Sequence, residues 1–343
     1  MKWILVLIFC VGISGEICFA DKEGHILLYT GYGTPRKVIV FGRAVEDRPP
    51  TIPESGSKLG NMFRTIRMLD TDELVGKTVT AQVSGQKAEA VTDNDGFFSI
   101  GFNSGREPFK VGELPVRVTL QVSQRNCVEM DGVALVYPET ISRVVVSDFD
   151  DSLIYTGVDK KSLKLLVKVA TWDPSRMKPV EGMRDLLNAL VRQKGNEAKP
   201  SAVVFYISGG PVNFYPRILA FLEKEAYPRG PLLLRNWGTN NEGELETTVR
   251  FKTSKIEELM GLFKSGKFIL IGDNTENDPE IYAGLREKHP DRVEAIMIRK
   301  VEEKEERNGR FNDMDLICDG CEALRIAKEK GIIEDGEIKR KTP

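Results

Sequence analysis

A chain of 343 residues can hold about two domains at roughly 100–200 residues each, and so a sizeable core. Its 49 Lys and Arg stand against 51 Asp and Glu, a net charge of -2. This near-balance excludes the broad basic field that nucleic-acid binding needs, so neither DNA nor RNA is expected as a partner.

Met1-Lys2, the apolar run Trp3 to Ile13, and Cys18-Phe19-Ala20 before Asp21-Lys22-Glu23 have the layout of a secretory signal over residues 1–20, cut after Ala20. The run is short for a span, which takes about 20 apolar residues. An uncleaved anchor is the alternative. Lipidation at Cys10 or Cys18 fits less well, because Phe9 and Ile17 stand where a small residue is expected. No later stretch has transmembrane length. The expectation is an exported protein, periplasmic or extracellular, soluble or loosely membrane-associated.

Residues 25–140 show short strand-like runs, among them "KVIVFGRA", "KTVTAQV", "GFFSIGF" and "LPVRVTLQV", punctuated by Gly, Pro, Asn and Asp. Alternating short strands with turn chemistry between them predict an all-β sandwich. "DNDG" (93–96) lacks the remaining ligands of an EF-hand calcium loop and reads as a turn.

From Arg143 to about residue 335 the rhythm changes. Continuous apolar runs, "RVVVSDFD", "AVVFYISGG", "PLLLRNW", "KFILIGD" and "VEAIMIR", are separated by longer stretches, several with helical spacing, such as "EGMRDLLNALVRQ" and "VNFYPRILAFLEKEA". This alternation predicts a doubly wound α/β domain with a parallel sheet covered on both faces. In such sheets ligands bind beyond the carboxyl ends of the strands, where strand order reverses. Three strands end there on polar residues: Asp148-Phe149-Asp150-Asp151, Ser208-Gly209-Gly210, and Gly272-Asp273 followed by Asp278.

In extended backbone, residues two apart point the same way, so Asp148 and Asp150 can face one cavity. Two such carboxylates repel unless one keeps its proton or a cation lies between them. A hard divalent ion, most simply Mg²⁺, resolves the conflict, with Asp273 as a further ligand. Solvated turn acids and helix caps are the ordinary alternative. One reaction uses all these groups: phosphoryl transfer, with Asp148 attacking phosphorus and Asp150 protonating the leaving alkoxide, then deprotonating the hydrolytic water. Ser208 and the amides of Gly209 and Gly210 can hold the nonbridging oxygens, and Lys252 or Lys255 supplies the cation.

"DFDDS" resembles the first motif of the haloacid dehalogenase superfamily of phosphatases. "YISGGPVNFYPRILAFLEKEAYPRGPLLLRNWG" (206–238) and "KFILIGDNTENDPEIYAGLREKHPDRVEAIMIRKV" (267–301) resemble the catalytic domain of phosphatidate phosphatases of the actin patch protein type. The resemblance covers residues 143–301 and continues weakly to "CEALRIAKEKGII". It implies a Mg²⁺-dependent conversion of phosphatidate to diacylglycerol. Asp148 would be the nucleophile, Asp150 the acid/base that binds metal through its backbone carbonyl, Ser208 a phosphate contact, Asp273 a metal ligand and Asp278 its support. "FKTSKI" aligns so that Lys252, in preference to Lys255, becomes the phosphate-binding lysine. Ser152 stands where Thr is usual and Phe251 where His is usual. A phosphatase for a soluble phosphomonoester remains an alternative, as does a non-catalytic exported binding module.

Weaker signals remain. Lys160, Lys164 and Lys168 form a basic stripe beside Leu163, Leu166 and Val167, which suits an anionic membrane surface or an ordinary packed helix. Trp172, Trp237, Tyr206 and Tyr215 can line an acyl-chain groove or fill the core. "VEEKEERNGR" (301–310) reads as a solvated charge run. Cys318 and Cys321 have the spacing of a redox motif or half a zinc site, and equally of a local disulfide or two plain thiols; Cys127 is the odd one left.

Overall fold

The computed structural model describes residues 24–46, 72–155, 177–191, 202–236, 244–301 and 309–333. The expected signal, the 160–170 stripe, Trp172, Trp237 and most of the 301–310 charge run lie outside these residues.

Eight strands come first: β1 (His25–Leu28), β2 (Gly31–Gly33), β3 (Lys37–Val45), β4 (Thr78–Val83), β5 (Gln86–Val91), β6 (Phe97–Asn103), β7 (Gly112–Ser123) and β8 (Asn126–Val136). They pair in one sheet along the path β1-β3-β2-β8-β7-β4-β5, with β6 on the other side of β3. Only β2 and β8 run parallel. The expected strands are present, but in place of two facing sheets there is a single one. It rolls until β5 comes against β6, and its concave side closes over Val40, Val79, Phe98, Ile100, Val118 and Leu120. Strict alternation along β6 and β7 aims one side chain in two at this interior. Positive φ at Ser84 and Gly85 turns β4 into β5, as a tight hairpin requires. Asp93 takes the amides of Asp95 and Phe97 on Oδ1, at 3.0 and 2.8 Å, so "DNDG" is a turn.

The second sheet contains β9 (Arg143–Ser147), β10 (Ala202–Pro211), β11 (Leu232–Arg235), β12 (Lys267–Asp273), β13 (Val293–Arg299) and β14 (Asp315–Ile317). All are parallel, in the order β11-β10-β9-β12-β13-β14. The helices are α1 (Met183–Val191), α2 (Tyr215–Lys224), α3 (Glu244–Leu262), α4 (Asp278–Lys288) and α5 (Gly320–Glu329). Val144 and Val146 face Ile256, Leu259 and Ile281 on one side; Val145 faces the layer of Leu186, Leu187, Ile218 and Ala323 on the other. Burial on both faces is why these strands read as unbroken apolar runs. The chain starts at the central β9, steps outward to β11 and returns across the centre to β12. The order therefore reverses beside β9, which opens a crevice at the carboxyl ends of β9, β10 and β12.

The two sheets pack together through aromatic side chains. Tyr32 is 2% exposed; its ring meets Phe205 edge-on at 5.5 Å, and its hydroxyl donates to Glu258 Oε1 at 2.9 Å. Tyr137 lies 5.9 Å from Phe205 and 6.1 Å from Phe263. The Tyr215 hydroxyl accepts from Thr30 N at 2.9 Å and donates to Thr30 Oγ1 at 3.1 Å. Asn236 Nδ2 donates to Asp95 Oδ2 at 2.7 Å. Among the described residues no helix is long and apolar enough to cross a membrane, and no disulfide joins Cys127, Cys318 and Cys321, whose residues are exposed.

Tyr32→Ala removes both the buried ring and its hydrogen bond, and is expected to lower stability by about 3–5 kcal/mol in urea unfolding. Tyr32→Phe keeps the ring and is expected to lose only about 1 kcal/mol. A Tyr32→Ala midpoint equal to wild type would show that the contact does not join the two sheets.

Candidate active site

Asp148 follows β9 directly, and its amide donates to Ile271 O on β12 at 2.9 Å. That bond ties the first acid to the neighbouring strand across the switch point. The next acid group comes from β12 and α4. Asp273 ends β12, and Asp278 opens α4, where a carboxylate suits the positive end of the helix. One carboxylate oxygen from each of Asp148, Asp273 and Asp278 lies within 4.8 Å of the others. All three residues are at most 1% exposed.

Lys252, on α3, reaches into this cluster and is itself 1% exposed. Its Nζ donates to Asp148 Oδ1 at 2.8 Å and to Asp278 Oδ1 at 2.5 Å, with Glu276 Oε2 at 3.9 Å. Burial pushes the Asp148 carboxyl well above the usual carboxylate range, against the opposing pull of Lys252. Burial likewise pushes Asp278 up to about 6, again against Lys252. For Lys252 burial works against the charge, but Asp148 and Asp278 outweigh it and hold the ammonium well above its ordinary value.

Asp150 stands apart from this cluster. Its Oδ2 accepts from Ser208 Oγ at 3.0 Å, and Ser208 Oγ in turn accepts from Gly210 N at 2.9 Å. A hydroxyl has one proton to give, and here Ser208 gives it to Asp150. Ser208 thus links Asp150 to the Gly210 amide at the end of β10. Gly209 packs on α3, with a Cβ at this position falling 2.6 Å from Thr248 Cγ2. Of the acids aligned at the sequence level, Asp278 joins the cluster through its carboxylate as fully as Asp273, while the carboxylate of Asp150 does not. Lys255 pairs with Glu258 at 2.9 Å.

Several residues that motif spacing does not single out hold the loops. Asp151 adopts φ +56, a left-handed conformation uncommon outside Gly, and its carbonyl accepts from Arg299 Nη1 at 2.5 Å. Arg299 Nε also donates to Cys318 O at 3.3 Å. Arg310 donates to Asn274 O at 3.1 Å and Glu276 O at 2.7 Å, which fixes the turn between β12 and α4. Thr275 caps Asp273 Oδ1 through its amide at 2.7 Å and through its hydroxyl. Gly272 is small for a steric reason, since a Cβ there would fall 2.5 Å from Asp278 Oδ2. The only advance signal for these residues is a polar side chain at a strand end or in the turn that follows.

The donor set is entirely oxygen. Three carboxylates against one ammonium leave two negative charges in excess when all are ionised. Asp148 Oδ2 is buried with no hydrogen-bond partner among the described residues. Such a set fits a hard divalent cation.

The family model for the catalytic domain of phosphatidate phosphatase APP1 matches residues 143–300, the stretch that supplies every one of these groups except Arg310 and the Cys318 carbonyl. Phosphatidate phosphatase APP1 of Saccharomyces cerevisiae is 26% identical over 165 residues, which cover 45% of this chain and 25% of that protein. The uncharacterized protein C29B5.04c of Schizosaccharomyces pombe is 25% identical over 158 residues, 46% of this chain and 25% of that protein. The chain thus spans about a quarter of the length of these curated relatives. Among solved structures, the Ig1-2 module of the Drosophila receptor protein tyrosine phosphatase DLAR overlaps 39% of this chain and 63% of its own, at 10% identity and a TM-score of 0.21, too little for a common fold. Residues 143–300 of this chain are thus similar to the catalytic domain of phosphatidate phosphatase APP1.

Proposed function

We propose that the protein is a Mg²⁺-dependent phosphatidate phosphatase with a haloacid dehalogenase-like catalytic fold, working through an aspartyl-phosphate. One observation carries the reading: at the switch point of a parallel sheet, in a domain similar to the APP1 catalytic domain, Asp148 is held by a buried Lys252 inside an excess of carboxylates. The carboxylate of Asp148 attacks phosphorus, and the P–O bond to the diacylglycerol oxygen breaks. Asp150 gives its proton to the departing oxygen, held in place by Ser208. Asp150 then takes a proton from water as that water attacks phosphorus, which breaks the bond to Asp148 and releases phosphate. Lys252 keeps Asp148 aligned. Asp148, Asp273 and Asp278 would hold the ion, which when bound supplies positive charge for nucleophile and phosphate. We propose further that the protein acts outside the cytoplasm, as the signal-like residues 1–20 suggest.

Phosphate release from phosphatidate in mixed micelles is expected with Mg²⁺, to vanish with a chelator, and to fall at least about a hundredfold in Asp148→Asn. No release from phosphatidate by a folded chain that hydrolyses soluble esters would refute the lipid substrate.

Asp150→Asn is expected to slow an alkyl phosphate by about 10²–10⁴, but p-nitrophenyl phosphate far less, because its leaving group departs without a proton. An equal loss on both substrates would argue against Asp150 as the acid.

Gly272→Ala pushes on the Asp278 carboxylate and so on Lys252. Turnover is expected to drop at least about tenfold, with about 1–3 kcal/mol of stability lost to overpacking. Unchanged turnover would mean that Asp278 moves without consequence.

A further inference from the structure

A cleft of about 700 Å³ lies where the rolled sheet meets the catalytic sheet. That volume falls within the range of about 300–1,000 Å³ usual for small-molecule sites. One wall is the convex face of β3 and β6. Alternation turns Val38, Val40, Phe98 and Ile100 into the interior of the roll, which leaves Ile39, Phe41 and Phe97 half-buried on the outside. Elsewhere the convex face of the same sheet carries Thr80, Gln82, Arg117, Thr119 and Glu129. The opposite wall is Val212, Tyr215 and Phe251.

This cleft borders the strand end that carries Ser208. Phe251 precedes Lys252 on α3, and Val212 follows the Ser208–Pro211 strand end. Arg235, also in the lining, donates through Nε to Gly209 O at 3.2 Å. Exposed Lys37 and Arg250 add positive charge to the lining. Its two acids are already engaged, Glu258 with Tyr32 and Lys255 and Asp93 with turn amides. An apolar trough with basic side chains, ending beside a phosphoryl-transfer site, matches an amphiphile with a hydrocarbon body and an anionic head.

We propose that this cleft takes the hydrocarbon chain of the phosphomonoester whose phosphate lies at Asp148, which makes the rolled sheet part of the substrate site. The proposal rests on the phosphatase reading for the position of the head group. Of the four aromatics raised at the sequence level, Tyr215 lines the cleft, whereas Tyr206 is core, its hydroxyl donating to Pro228 O at 2.6 Å. Trp172 and Trp237 lie outside the described residues. The remaining aromatic lining comes from residues 29–41, 97 and 251, far apart in the chain.

The test is titration calorimetry of the full chain with n-butylphosphonate and n-octylphosphonate, both non-hydrolysable and kept below micellar concentrations. Octylphosphonate is expected to bind at least about tenfold more tightly, since each methylene removed from water favours binding severalfold. Gly101→Trp and, separately, Ser99→Trp put a ring into the cleft from the exposed side of β6; a Cβ at Gly101 meets nothing within 4 Å. Each variant is expected to abolish the octyl preference while leaving butyl binding within about twofold, and a thermal melt checks folding. Absent octyl binding, equal affinities in the wild type, or a preference that survives in a folded variant would overturn the proposal. A chain-length preference lost in the variants, in a protein that releases no phosphate from phosphatidate, would support the cleft and reject the phosphatase reading instead.

Discussion

The Lys252 ammonium lies between two carboxylates with almost no exposure to water. An ion buried in this way is tolerated only while its partners stay in place, and removing one partner from such a set commonly costs about 3–5 kcal/mol. The partners come from three separate elements: Asp148 from the end of β9, Asp278 from the start of α4, and Lys252 itself from α3. Their meeting therefore holds the two sides of the switch point at a set distance. The same set remains short of positive charge, and the unpartnered Asp148 Oδ2 marks where more of it is needed.

Around this contact the loops are held by groups outside the Lys252 cluster. Arg299 clasps the carbonyl of left-handed Asp151, and Arg310 clasps two carbonyls in the turn before α4. Ser208 links the acid of one loop to an amide of another. Restraint from outside the reacting set keeps a constellation of like charges from relaxing apart. Gly272 plays the same part by absence, since a methyl group there would displace Asp278.

The rolled sheet is joined to this framework through rings. Tyr29, Tyr32 and Tyr137 bury their faces against Tyr215, Phe205 and Phe263, and their apolar contacts continue into the outer faces of β3 and β6. A strand in a one-sided sheet normally sends polar side chains outward. Ile39, Phe41 and Phe97 depart from that pattern on the side that meets the catalytic half, where the cleft of about 700 Å³ opens.

Periodicity and strand-end chemistry in the sequence were enough to establish a parallel, doubly covered sheet after Arg143 and the convergence of Asp148, Ser208 and Asp273 at its carboxyl edge. Strand burial and the side of the sheet to which a strand end points are local properties of the chain. Turn chemistry located the strands before residue 140, but not their pairing: alternation says which residues face a core, not whether that core lies between two sheets or inside one rolled sheet. Only the tertiary structure decided that Asp278 enters the cluster with its carboxylate, that Ser208 serves Asp150, and that Arg299 and Arg310 anchor the loops. These depend on distances between residues 26 to 148 positions apart, set by how helices and strands pack and by which charges that packing leaves without water.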